Sequence, residues 1–268
     1  MLVPVVTVIV VMAGLFLYKQ KLVKPHKPPV VDRITIPVQL LQMKVVAVII
    51  DDVGHSRPAA RPFIEMDHPV ALSILPERTF SRDLASEAAE RGKTVLLHLP
   101  MEPVGYPRID PGPGAILLSH SKEEIIAILE RDIASVPGIV GINNHMGSRA
   151  TTDPRVMKTV LDLIDNRGFF FIDSRTSPET IALKLAREFE IPSARRDVFL
   201  DNELTPSAID ARTDELLDLA EKKGWAIGIG HANTETAKAL ERMARKADRR
   251  NIQWVSLESL IAYVNTGN

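Results

Sequence analysis

The chain has no cysteine, which excludes disulfides, thiolate zinc sites and cysteine nucleophiles together. That absence suits the cytosol and a bridge-free exported protein equally, so it leaves the compartment open. Aromatic residues make up only 5% of the sequence, too few to line an extended cleft that grips a long sugar chain on stacked rings. Neither sign of charge prevails: 33 Lys and Arg face 34 Asp and Glu, a net charge of -1. No overall field therefore draws the chain to nucleic acid. No Gly-x-Gly-x-x-Gly follows the first strand-like run, and there is no phosphate loop, which weakens a nucleotide-binding reading.

What is present is ordinary globular usage. The 268 residues are 45% hydrophobic and 25% charged, enough for one large α/β domain with an appendage. Residues 2–18 carry no charge and lie at the short end of what spans a bilayer, about 17 residues. A stretch with Lys19, Lys21, Lys24, Lys27, Pro25, Pro28 and Pro29 follows. The expectation is an N-terminal membrane anchor over 1–18, a stiff linker over 19–43, and a folded domain over 44–268. No small-residue cleavage site stands out, so an anchor is preferred to a cleaved signal.

From residue 44 onward, β-branched runs alternate with amphipathic helical patterns. Strands are predicted at 45–50, 70–75, 94–99, 139–143, 169–172, 198–200, 226–229 and 252–255. Most centres are about 25–30 residues apart, the spacing of a βα unit. Ser121-Lys122-Glu123-Glu124 reads as a capping box, Ser177-Pro178 as a cap before a helical proline, and Thr152 and Asn233 as caps. Residues 103–120, rich in proline and glycine, read as a long lid or substrate-facing loop. Seven or eight such units with near-continuous apolar strands imply a parallel sheet covered on both faces. An irregular (β/α)7-8 barrel is favoured over an open doubly wound sheet.

The unusual polar residues follow the apolar runs. They are Asp51 and Asp52, then His98 and Glu102, then Asn143 to Ser148 with His145. Asp173, Arg196, Asp197, Asp201 and His231 come after. In a parallel barrel these strand ends share one face, where active sites are built. One acid or histidine after a strand is most often a cap; six such ends, in a chain with 7 histidines, point to one shared site. His26, His68 and His120 fall elsewhere and read as structural. Clustered aspartate and imidazole without cysteine suit a divalent cation, zinc first. Three protein ligands with one open position would activate water and polarise a carbonyl.

These residues resemble a known family. Ile50-Asp51-Asp52-Val53-Gly54 is similar to the Asp-Asp-Gly signature that ends the first strand of polysaccharide deacetylases. Gly228-Ile229-Gly230-His231 is similar to their late Leu-x-His segment. The residues 97–103, 143–148, 173–176 and 197–201 resemble the divergent branch of that family. The resemblance implies a metal-dependent barrel hydrolase removing N-acetyl or O-acyl groups from a cell-envelope polysaccharide or oligosaccharide. It implies Asp51 as base, Asp52 as metal ligand and His231 as acid. The family's second metal histidine is Glu102 here, so the metal set is read as Asp52, His98 and His145, with Glu102 a fourth ligand or a neighbour of the site. Arg196 is expected to orient Asp51 or hold a substrate oxygen, and Asp173 to position His231.

An envelope substrate goes with a periplasmic or secreted location. The lysines after the apolar run favour the cytoplasm by the positive-inside rule, so the two indications oppose each other. Two further readings stay open: a non-catalytic, membrane-anchored glycan-binding or scaffold protein on the same barrel, and another barrel hydrolase such as a phosphoesterase or amidohydrolase.

Overall fold

The computed structural model describes residues 43–265. The expected anchor at 1–18 and all but the last residue of the linker lie outside the described residues. Each run predicted as a strand from residue 44 onward forms one, the first being β1 (Lys44–Val53), β2 (Val70–Ile74), β3 (Thr94–Met101) and β4 (Gly141–Met146). They continue with β5 (Phe170–Asp173), β6 (Ser193–Arg195), β7 (Val198–Phe199), β8 (Trp225–His231) and β9 (Ile252–Trp254). The intervening helices are α1 (Arg57–Glu65), α2 (Ser81–Glu90), α3 (Lys122–Ser135) and α4 (Pro154–Arg167), then α5 (Ala182–Glu188), α6 (Pro206–Lys223), α7 (Thr234–Arg249) and α8 (Leu257–Asn265).

All ladders are parallel, in the order β6-β5-β4-β3-β2-β1-β8-β7, with β9 also on β1. The expected barrel is thus realised in an irregular form: the sheet curls, but no ladder joins β6 to β7. Its two edges are nevertheless close. Arg196 N–H bonds to the Asp173 carbonyl of β5 at 3.0 Å, and Asp197 N–H bonds to the Ile227 carbonyl of β8 at 2.9 Å. Two consecutive residues therefore cross from one edge to the other, and a two-residue span reaches only about 7 Å.

Successive side chains alternate between the two faces of this curled sheet. Val46, Val48 and Ile50 pack outward with the helices, while Val45, Ala47 and Ile49 fill the lumen with Leu96, Ile172, Ile227 and Ile229. Helix α8 closes the lower end through Leu257, Leu260 and Ile261, which join the same lumen cluster. Above this apolar plug the same inward positions become polar: Asp51, Ser73, His98, Asn143 and His231. The change of polarity along one face places the site at the C-terminal mouth, and burial of the apolar layers below it contributes about 25 cal/mol per Å2.

Helix starts follow local chemistry. Ser121 and Glu124 form the expected capping box, and Asn233 caps α7 by accepting the Thr236 N–H. Two expected caps are corrected. Asp153 caps α4, because its short carboxylate accepts the Arg155 and Val156 N–H groups while Thr152 is occupied with the Arg149 carbonyl. Ser177 closes a local turn onto Glu179 N–H, and α5 starts later, at Ala182. Strand β6 was not predicted. Among the described residues, no helix is long and apolar enough to cross a membrane.

Candidate active site

Adjacent strand residues normally face opposite ways, yet both aspartates of β1 reach the mouth of the lumen. The register explains this: Ile50 pairs with Leu72 and Val53 with Ile74, so β1 carries one extra residue. That bulge sits on Asp52, whose φ of 60° is left-handed, a conformation uncommon outside glycine that costs about 1–3 kcal/mol. The buried Asp51 stays on the inward face while Asp52 swings over the opening. His98 of β3 and His145 of β4 complete the cluster, His145 two residues beyond Asn143 and so on the same face.

Asp52 Oδ1 lies 3.3 Å from His98 Nε2 and 3.0 Å from His145 Nδ1, and the two nitrogens are 3.2 Å apart. Tetrahedral ligands about 2.0–2.1 Å from a zinc ion stand roughly 3.3 Å from one another. Asp52 Oδ1 is sealed from solvent, and the two imidazole nitrogens are its neighbours within 3.3 Å. The buried Asn143 fixes which atoms face the cluster. Its amide nitrogen donates to Asp51 Oδ1 at 2.9 Å, so its oxygen must accept from His98 Nδ1 at 2.8 Å and from Ser73. His98 Nε2 then offers a lone pair to the cluster. A carboxylate oxygen and two imidazole nitrogens thus converge where a shared cation or proton can join them, and the donor set fits a divalent metal.

The electrostatics agree. Burial alone would raise the Asp52 carboxyl, but His145 and His98 beside it outweigh that and hold it far below the usual carboxylate range. Burial works against a charge on His98, yet the carboxylates of Asp51 and Asp52 raise it; for His145 burial prevails and lowers it.

His231 stands across the mouth, with its Nε2 3.6 Å from Asp52 Oδ2. Burial would lower it, but Asp201 at 3.0 Å from Nδ1, with Asp52 and Asp51 beyond, pushes it up to about 9. Asp201 is itself fixed by the His231 N–H, Asn233 and Thr236. Phe199 leans on the His231 ring at 5.1 Å, and the Arg196 guanidinium covers Phe199 at 5.0 Å.

Three expectations are corrected here. Asp173 does not position His231; Phe170 and Ile172 point inward, so Asp173 points outward, where it accepts from Thr180 and from the Arg175 and Leu183 N–H groups. Asp201 is the partner of His231. Arg196 does not hold Asp51: it donates to the Ser174 and Arg175 carbonyls and so pins the strand end, while Asn143 holds Asp51. Glu102 is not in the cluster. It is spent on Arg149 at 2.9 Å and on Leu118 N–H at 2.7 Å, tying loop 103–120 to the segment after β4. Ser73, Asn143 and Asp201 are the site residues whose roles sequence reasoning missed. Asn143 and Asp201 did stand at flagged strand ends, and Ser73 shares the inward parity of Ala71.

Residues 48–261 match the profile described as divergent polysaccharide deacetylase. The chain belongs to that family. It is similar to an uncharacterized protein of Haemophilus influenzae, 31% identical over 214 residues, covering 80% of this chain and 75% of that one. The crystal structure of an uncharacterized Agrobacterium tumefaciens protein is similar at 29% identity and a TM-score of 0.77, over 81% of this chain and 89% of the other. The fold is shared with the catalytic domain of a peptidoglycan N-acetylglucosamine deacetylase from Eubacterium rectale. There the identity is 11% and the TM-score 0.52, over 80% of this chain and 89% of that one.

Proposed function

We propose that the divergent deacetylase barrel is a metal-dependent hydrolase that removes N-acetyl or O-acyl groups from a cell-envelope glycan. The observation that carries the reading is the convergence of Asp52, His98 and His145 beside two further groups of opposite proton character. Asp52, His98 and His145 would hold the ion, with zinc the first candidate for this nitrogen and oxygen set. When bound, a divalent cation polarises an acyl carbonyl and lowers the pKa of water.

The chain's own residues supply the proton traffic. Asp51, held by Asn143 through Oδ1, has Oδ2 without a hydrogen bond, 3.6 Å from His98 Nε2, where it can accept the proton of an attacking water. His231, kept protonated through neutral pH by Asp201, presents Nε2–H to the leaving nitrogen or oxygen. Base and acid thus stand on paired residues of neighbouring strands, Asp51 opposite His231. The same reading puts the work in the cell envelope, with residues 1–18 as the anchor.

Metal analysis of the purified chain, followed by acetate release from acetylated glycan fragments, tests the reading. Asp52→Ala should lose both metal and turnover; Asp51→Asn should keep the metal and lose turnover. Full turnover in Asp51→Asn would sink the base assignment. A metal-free chain with no release under added divalent ions would favour the non-catalytic glycan-binding role instead.

A further inference from the structure

The strand end after β5 has two sides. Ser174 faces the lumen, where it accepts from Asn143 at 3.2 Å. Asp173 and Arg175 face a separate cavity of about 530 Å3 outside the sheet. Arg175 has a φ of 52°, and its carbonyl is held by Arg196 at 2.9 Å. The left-handed turn therefore commits neighbouring side chains to opposite sides, the site and the cavity.

The cavity is cationic. Arg175, Lys184, Arg187 and Arg195 line it, against the carboxylates of Asp173 and Glu188. Asp173 is already saturated by two N–H groups and a hydroxyl, and Glu188 lies 3.9 Å from Lys184. Arg175, Arg187 and Arg195 have no side-chain ion pair or hydrogen bond among the described residues. Three such guanidinium groups gathered in one concavity with Lys184, against only two carboxylates, leave an excess of positive charge there. Guanidinium forks match phosphate and carboxylate oxygens two at a time, and pockets of about 300–1,000 Å3 accommodate small ligands.

We propose that this cavity binds an anionic substituent, a phosphate or a carboxylate, of the saccharide on which the enzyme acts. The proposal builds on the deacetylase reading for the word saccharide; the anion site itself does not depend on it. It also supplies a grip by charge for a chain whose few aromatics offer little ring stacking.

Titration calorimetry on the full chain tests this with N-acetylglucosamine 1-phosphate, N-acetylmuramic acid, uncharged N-acetylglucosamine and inorganic phosphate. A charged sugar should bind at least tenfold more tightly than the uncharged one, and whichever charged sugar is preferred identifies the anion. Arg187→Gln/Arg195→Gln should remove that preference at an unchanged melting temperature, since both side chains are exposed; Arg195→Gln alone should remove part of it. Asp52→Ala should leave it intact, so the site is scored even in a chain that releases no acetate. Equal binding of charged and uncharged sugars, or a double variant that keeps the preference, overturns the proposal. Binding of inorganic phosphate without any charged sugar overturns the saccharide role.

Discussion

Asn143→Leu removes the residue that joins Asp51 to the cluster of Asp52, His98 and His145 while nearly keeping its volume. Asn143 is fully buried, so no water replaces its bonds. The Asp51 carboxylate loses a donor at 2.9 Å, and His98 Nδ1–H and the Ser73 hydroxyl lose their acceptor. A hydrogen bond to a charged group is worth about 1.5–3 kcal/mol and the others about 1 kcal/mol each. The metal-free variant should therefore lose about 3–6 kcal/mol, read as a lower urea midpoint at unchanged slope. The second readout is specific to the site. With the acceptor gone, His98 is free to move its proton to Nε2, and zinc affinity should fall about 10–100-fold, the usual cost of removing a partner behind a metal histidine. Competition with a chromophoric chelator measures this, and nitrogen NMR of His98 reports the tautomer. Zinc affinity within about twofold of the parent, with the tautomer unchanged, would refute the argument that Asn143 prepares His98.

Asp201→Asn weakens the hold on His231 Nδ1; we expect kcat to fall about 10²–10⁴-fold, the range of a general acid, with zinc content unchanged, measured by acetate release and metal analysis. Glu102→Gln should keep zinc affinity within about twofold while lowering stability by about 1–3 kcal/mol through its Arg149 and Leu118 contacts, checked by the same competition assay and by denaturation. Asp132 is fully buried with neither oxygen bonded, and burial pushes its carboxyl from 3.8 up to about 8. A raised carboxyl keeps its proton in the folded state, so its favourable contribution is complete below pH 3.8 and declines until about pH 8. Asp132→Asn should match the parent near pH 4 and exceed it by about 4–6 kcal/mol at pH 8, at roughly 1.4 kcal/mol per unit. Parallel stability curves for the two proteins would contradict this.

Much of the architecture was legible because the strands of a doubly covered sheet are apolar on both faces and stand out as runs. The same property hid which side each polar end faces. Nothing in Phe170-Phe171-Ile172-Asp173 says that Asp173 turns outward, since the residues before it are apolar on both faces of the strand. Strand β6, Ser193–Arg195, is too short and too polar to register as a run. The pairing of Asp201 with His231 rests on the register of the two-residue strand β7 against β8, where Phe199 stands opposite Ile229, and a strand that short shows no run in the sequence. By contrast the cluster of Asp52, His98 and His145 needed only strand ends on one face, which parallel order guarantees. The bulge that turns Asp52 inward leaves no compositional mark, because its left-handed residue is an aspartate rather than a glycine.

The central place of β1 has a consequence for the life of the chain on the ribosome. Asp51 sits opposite His231, about 180 residues further along, and at about 5–20 residues per second that partner emerges some 9–36 s later. Until then one flank of β1 is open and Asp51 and His231 are strangers to each other. The geometry of the candidate site is therefore among the last things the nascent protein acquires, and any ligand that prefers the finished site would draw the whole barrel toward completion by mass action.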